Sequence, residues 1–207
     1  MNQAIQDIGC ILMASGLSLR YGSNKLLEKL HGRELILHTA EALAEAGLSP
    51  QAVTRSPEVK ALLDREGFAC ALHTGPLKSD TIHLGLRLLP PGLSGYLFMP
   101  ADQPLIRPSS LRRMADRFFS DPRQAVRLGY GDTPGSPVLF PAACRPALLA
   151  YEGDRGGMEV IRRQNIPCVI VQASAPWELW DADTPATMAR IREVIASAIP
   201  ESSPPAC

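Results

Sequence analysis

Arg20 and Lys25 close the segment Met13-Ala14-Ser15-Gly16-Leu17-Ser18-Leu19-Arg20-Tyr21-Gly22-Ser23-Asn24-Lys25, which follows the apolar run Ile8 to Leu12. A strand that opens into small residues and then two cations suits a loop that wraps an anion. Gly16 and Gly22 let the backbone come close, and successive backbone N–H groups form an anion-binding concavity. Arg20 can fork onto phosphate oxygens, while Lys25 adds a point charge. Neither G-x-x-x-x-G-K-[ST] nor G-x-G-x-x-G occurs here, so the loop belongs to neither of those phosphate-binding classes. The competing reading is a polar surface loop with solvated cations.

Three more segments carry groups of the right chemistry. Asp102, in Pro100-Ala101-Asp102-Gln103-Pro104, would put a carboxylate opposite phosphates held by the first loop. Two anions need a cation between them, and Mg²⁺ commonly binds through one or two carboxylates plus substrate phosphates. Alternatively, Asp102 stabilises a turn. Ser79-Asp80-Thr81 reads as a helix start, with Ser79 as N-cap, whose hydroxyls and N–H groups can meet a base, ribose or phosphate. Asp181 and Asp183 precede the last helix; they complement its dipole or supply a second metal ligand.

These residues need a scaffold. Strand-like segments (Ile8–Met13, Ala52–Arg55, Phe68–Leu72, Tyr96–Met99, Ala125–Leu128, Pro137–Phe140, Cys168–Val171) alternate with helix-like ones (Glu34–Ala46, Pro57–Glu66, Asp80–Leu89, Ser109–Phe119, Ala142–Ala150, Met158–Arg163, Thr184–Ala198). Thr184 reads as the cap of the last helix and Pro185 as its first residue. The alternation predicts an α/β, Rossmann-like, doubly wound and mainly parallel sheet with helices on both faces, whose ligands sit beyond the carboxyl ends of the strands. Residues 1–199 are expected to form one domain, and 200–207, rich in Pro and Ser, a disordered tail.

Composition narrows the class. Net charge is zero, against the basic excess of general nucleic-acid binders. No apolar stretch reaches membrane-spanning length and Met1 to Asp7 lacks a signal-peptide layout, so a cytoplasmic protein with no membrane or nucleic-acid partner is expected. The five cysteines (10, 70, 144, 168, 207) form no C-x-x-C pair and predict neither a disulfide framework nor a zinc ribbon. The four histidines (31, 38, 73, 83) show no H-E-x-x-H spacing and read as structural.

Taken in order, the segments Met13–Lys25, Ser79–Leu86, Ala101–Pro104, Gly135–Phe140, Gly153–Gly157 and Asp181–Thr187 resemble the MobA-like nucleotidyltransferase family, specifically its molybdenum cofactor cytidylyltransferase branch. That branch shows L-A-A-G-x-S-x-R-M-G-x-x-K, S-S-S-I-x-x-G-L, G-D-Q-P, G-N-P-V-L-F, G-D-x-G-G and D-x-D-T-P-E-D. The resemblance spans residues 8 to about 195 and implies a nucleotide-diphospho-sugar transferase type of fold. It implies that Ala14, Ser15, Gly16, Arg20 and Lys25 hold a nucleoside triphosphate, with Ser79 and Thr81 near base or ribose. Arg20, Lys25 and Asp102 would be catalytic. Asp102 and Asp183, with Asp181 as the alternative second ligand, would bind Mg²⁺. Gly135, Ser136, Pro137, Asp154, Gly156 and Gly157 would shape the acceptor pocket.

The implied reaction moves CMP from CTP to the terminal phosphate of molybdopterin or the molybdenum cofactor, releasing pyrophosphate. An apo-molybdoenzyme is an implied further partner. This sequence departs from the branch at several places: Ser15 for the second Ala of A-A-G, where guanylyltransferases carry Gly; Tyr21 for Met; Ala101 for Gly; Asp80 within the serine run; Ala186-Thr187 for Glu-Asp. Ser15 leaves the choice between CTP and GTP open, with CTP expected. Two alternatives stand beside this reading: transfer to a sugar or polyol phosphate, and a non-catalytic chaperone for the cofactor.

Overall fold

The computed structural model describes residues 3–16 and 24–198. Seven strands form one sheet: β1 (Ile8–Ala14), β4 (Pro50–Thr54), β5 (Cys70–Leu72), β6 (Gly95–Pro100), β7 (Ala125–Tyr130), β8 (Thr133–Pro141) and β9 (Cys168–Gln172). A small hairpin, β2 (Lys29–Leu30) with β3 (Arg33–Glu34), lies apart. The helices are α1 (Leu35–Ala46), α2 (Pro57–Arg65), α3 (Lys78–Leu88), α4 (Pro108–Ser120), α5 (Arg145–Ala150), α6 (Met158–Arg163) and α7 (Pro185–Ala198).

The sheet order is β5-β4-β1-β6-β8-β7-β9. Within this sheet all described pairings are parallel except the two made by β8, which runs antiparallel to β6 and β7. The expected mainly parallel, Rossmann-like sheet is therefore present. Successive side chains of a strand point to opposite faces, and both faces of the sheet are packed. Cys10, Leu12 and Ala14 of β1 join a core with buried residues of α1, α2 and α4. Ile11 joins a second core with Ile82 and Leu86 of α3 and Leu148 of α5. Two-sided burial explains why β1 reads as a continuous apolar run rather than an alternating one.

Several boundaries differ from expectation for local reasons. β4 begins at Pro50, because a proline is tolerated as the first residue of a strand; Arg55 then lies beyond the strand. The expected helix Ala142–Ala150 is a 3-10 turn, Ala142–Cys144, followed by α5. Pro146 lacks an N–H and cannot donate back to the Ala142–Cys144 turn, and it sits instead in the first turn of α5, where no such bond is needed. α3 starts at Lys78, so Ser79 sits inside its first turn and is not the N-cap. At α7 the expectation holds: Thr184 Oγ1 accepts the Thr187 N–H at 3.1 Å, and Pro185 opens the helix. The expected tail, 200–207, lies outside the described residues.

Gly85 sets how closely α3 approaches β1. A Cβ there would lie 2.8 Å from Ile11 Cγ2, inside van der Waals contact and in the middle of a packed core. Gly85→Val is expected to lower stability by about 1–3 kcal/mol, read as a fall in the midpoint of chemical denaturation with unchanged slope. Among the described residues no helix is long and apolar enough to cross a membrane.

Candidate active site

The parallel strands β1, β4, β5 and β6 all end on the same side of the sheet, where Ser15, Arg55, His73 and Asp102 follow them. β8 runs the other way, so its opening residues, with Ser136, reach the same side. A cavity of about 770 Å³ lies there. Met13, Phe98, Val138 and Phe140 form an apolar wall; Lys25, Asp102, Asp181 and Asp183 stand in the same cavity.

The charged cluster is tightly paired. Lys25 Nζ donates to Asp102 Oδ2 at 2.6 Å and to Asp183 Oδ1 at 2.5 Å. The Lys25 side chain is only 10% exposed. Burial works against its charge, but Asp102 and Asp183 outweigh this and hold its pKa above the ordinary lysine value. Ala182 N donates to the Asp102 backbone oxygen at 2.9 Å, locking the segment before α7 onto the segment after β6. Asp181 accepts from Gln103 Nε2 at 2.9 Å. Burial, with Asp102 and Asp183 close by, pushes the Asp181 carboxyl up to about 6. Three carboxylates therefore lie near one another, two of them on one lysine, a surplus of negative charge that suits a divalent cation.

The donor set fits that cation. Two hard carboxylate oxygens, from segments far apart in sequence, converge on a single point. No group of three or more His, Cys, Asp or Glu side chains among the described residues could hold a metal alone. The arrangement thus suits a divalent cation that takes one or two carboxylates and completes its shell with phosphates and water.

Beside this cluster lies a polar wall in which the expected Ser15 and Thr81 are joined by two residues not expected there, His73 and Arg55. Ser15 Oγ donates to Val53 O at 3.1 Å and stands 2.8 Å from His73 Nε2. A serine has one hydroxyl hydrogen, so His73 Nε2–H donates to Ser15. Thr81 Oγ1 is 3.2 Å from the same nitrogen. His73 Nδ1 is buried without a partner, consistent with a bare ring nitrogen rather than an N–H. Burial, then the Arg55 charge, lowers the His73 pKa. The Arg55 guanidinium donates to Ser15 O from Nε at 2.9 Å and to Pro76 O at 3.3 Å. Arg55 thus ties the residue after β1 to the segment before α3. The available signals are an Arg just past one strand end and a His just past the next.

Most of the expected site residues surround this one cavity. Ser15, Gly16, Lys25, Thr81, Asp102, Ser136, Asp154, Gly156, Gly157 and Asp183 all line it. Others sit behind it. Ala14 is buried in the core, and its carbonyl accepts from Thr54 Oγ1 at 3.0 Å. Ser79 is buried; its N–H donates to Gly153 O at 3.1 Å and its Oγ accepts from Gly153 N at 3.3 Å. It therefore braces the 153–157 loop against α3. Gly135 O accepts both Nε and an Nη of Arg127 at 3.1 and 2.8 Å, and Pro137 follows it in β8 through a cis peptide.

Asp154 also braces the fold, because its Oδ1 accepts Lys78 N at 2.9 Å and caps α3. Gly157 is pressed to the wall, since a Cβ there would lie 2.6 Å from Phe140 Cζ. Arg20 lies outside the described residues.

Known proteins resemble this chain in sequence and in fold. A curated relative, 2-C-methyl-D-erythritol 4-phosphate cytidylyltransferase of Streptomyces avermitilis, is 30% identical over 101 residues. The match takes in 44% of this chain and spans only 40% of that relative's length. A nucleotidyl transferase from Methanothermobacter thermautotroptrophicus superposes with a TM-score of 0.79 at 24% identity, covering 93% of this chain and 99% of the other. A Mycobacterium tuberculosis H37Rv protein, solved in complex with manganese, gives 0.73 at 22% identity, covering 90% and 98%. At these identities the two structures speak for the fold. Residues 10–168 match the MobA-like NTP transferase domain, and with well over half its length so matched, the chain belongs to that family.

Proposed function

We propose that this protein moves CMP from CTP onto the terminal phosphate of molybdopterin, or of the molybdenum cofactor, and releases pyrophosphate. The observation that carries the nucleotidyl step is the convergence of Asp102 and Asp183 on Lys25 at the carboxyl ends of the parallel strands, where α/β folds bind ligands. Asp102 and Asp183 would hold Mg²⁺, which neutralises charge as one phosphate approaches another. The backbone after β1, fixed by Arg55, would cradle the triphosphate. Lys25, and Arg20 from the same segment, would stabilise charge on the departing pyrophosphate. A phosphate monoester is largely ionised near neutral pH, with a second pKa of about 6, so its oxygen can attack the α-phosphorus without a strong general base. Positioning and charge neutralisation carry the rate.

The cavity wall supports this choice of acceptor. Met13, Phe98, Val138 and Phe140 give an apolar face suited to a flat ring system, and Lys78 and Arg155 add positive charge at the same cavity. That combination favours an anionic, ring-bearing molecule such as molybdopterin. The cytidylyltransferase among the relatives supports CTP as donor and keeps the polyol phosphate as second reading. An apo-molybdoenzyme would receive the product.

The test is pyrophosphate release with Mg²⁺, CTP or GTP, and molybdopterin, 2-C-methyl-D-erythritol 4-phosphate or a sugar phosphate. Release with CTP and molybdopterin alone is expected. Release with the polyol or sugar phosphate would reassign the acceptor, and release with GTP would reassign the donor. No release with any pair, together with tight molybdenum cofactor binding, would make the protein a chaperone.

A further inference from the structure

Lys25 Nζ occupies the point that Asp102 and Asp183 share, 2.6 and 2.5 Å from their oxygens. We propose that Lys25 is a placeholder cation: in the nucleotide-free protein it holds these two carboxylates together, and a divalent metal reaches them only by displacing it. An ammonium and a metal ion cannot occupy one point, since like charges a few ångströms apart repel strongly in a partly buried site. The Lys25 side chain is 10% exposed, so breaking its ion pairs with both carboxylates carries a penalty that a new anion would offset. The inference rests on the nucleotidyltransferase reading for what that anion is, the triphosphate of the nucleotide. Asp181 lines the same cavity and adds to the negative charge that a metal would neutralise.

Metal and nucleotide binding are then coupled through one side chain, and the coupling is reciprocal. Metal alone must break both Lys25 ion pairs, at 2.6 and 2.5 Å. Nucleotide alone draws Lys25 away and leaves two carboxylates facing each other. Together, each ligand removes the other's penalty. The device also keeps free metal from loading the site before a nucleotide arrives.

The test uses Mn²⁺ as probe, with free Mn²⁺ followed by electron paramagnetic resonance in the nucleotide-free, full-length protein. Lys25→Met removes the competing charge and is expected to bind Mn²⁺ about tenfold or more tighter than wild type. Lys25→Arg keeps a cation at the same carboxylates and is expected to stay near the wild-type affinity. Adding Asp102→Asn to Lys25→Met is expected to abolish the gain, which locates it. A Lys25→Met protein that binds Mn²⁺ no tighter than wild type would overturn the proposal.

If Lys25→Met folds poorly without metal, its thermal unfolding is followed against Mn²⁺. Recovery at concentrations that leave wild type unmoved is expected, and no response to Mn²⁺ overturns the proposal. Equilibrium dialysis of wild type with labelled CTP, in Mn²⁺ and in chelator, separates the underlying reading. No CTP binding in either buffer would sink the nucleotidyltransferase assignment, while the nucleotide-free arm still decides the role of Lys25.

Discussion

Asp102→Ala is expected to lower turnover by on the order of 10²-fold or more, as loss of one preorganised electrostatic group does. The carboxylate contacts Lys25 directly and is one of two that converge on it, so its removal takes away half of the proposed metal site. The fold should survive, because the link between this segment and the one before α7 runs through the Asp102 backbone oxygen to Ala182 N at 2.9 Å. Lys25 keeps Asp183 as a partner, although that side chain is 61% exposed and the pair better screened. Asp102→Asn preserves the shape and removes the charge, and should behave like the alanine variant if charge is what matters. Steady-state turnover with CTP, beside an unchanged circular dichroism spectrum, checks this; near wild-type turnover contradicts it.

Glu178→Ala is expected to produce a large loss of stability. Glu178 is completely buried. Its carboxylate accepts Ser174 N at 2.7 Å and Arg107 N at 3.1 Å, bridging the segment after β9 to the start of α4. Hydrogen bonds to a charged group contribute about 1.5–3 kcal/mol each, and truncation leaves both N–H donors orphaned. A loss of about 3 kcal/mol is expected, or roughly 6–12 °C in Tm for a chain of this size. Glu178→Gln keeps a carbonyl acceptor and should lose about half as much. The Arg107 guanidinium stacks over Trp177 at 4.4 Å, so the same brace holds the chain that leads to Asp181 and Asp183. The alanine variant should therefore weaken Mn²⁺ binding as well as stability, whereas an unchanged Tm would show the brace to be dispensable.

Much of this architecture is legible in the sequence where burial imposes a pattern. The apolar run that opens the chain is β1, because a central parallel strand is buried on both faces. Met158–Arg163 and the Thr184-Pro185 start of α7 are written in local signals, namely apolar spacing and a cap. What the sequence does not show is partnership across the chain. Nothing in Pro137–Phe140 says that it extends to Thr133–Pro141 and runs antiparallel, since strand direction is set by the β7–β8 hairpin and the neighbour β6.

Likewise, Ser79 carries the residue type of an N-cap, but the cap of α3 comes from Asp154, 76 positions away from Lys78. Asp102 and Asp183 could be picked out as oxygen ligands, yet their meeting on Lys25 is a fact of the fold. Arg55 and His73 are marked in the sequence only by their places just past strand ends, for the same reason. Their chemistry comes from the backbone carbonyls and hydroxyls that the sheet brings to them, not from spacing along the chain.

The most direct measurement of the central claim follows the α-phosphorus. CTP labelled at that atom is incubated with Mg²⁺, molybdopterin and the protein, and the acceptor and pyrophosphate are quantified together. The account predicts label in the acceptor, joined to its terminal phosphate, with one pyrophosphate formed per label transferred. Label that stays in CTP, or leaves as free CMP at the same rate with and without molybdopterin, would contradict it.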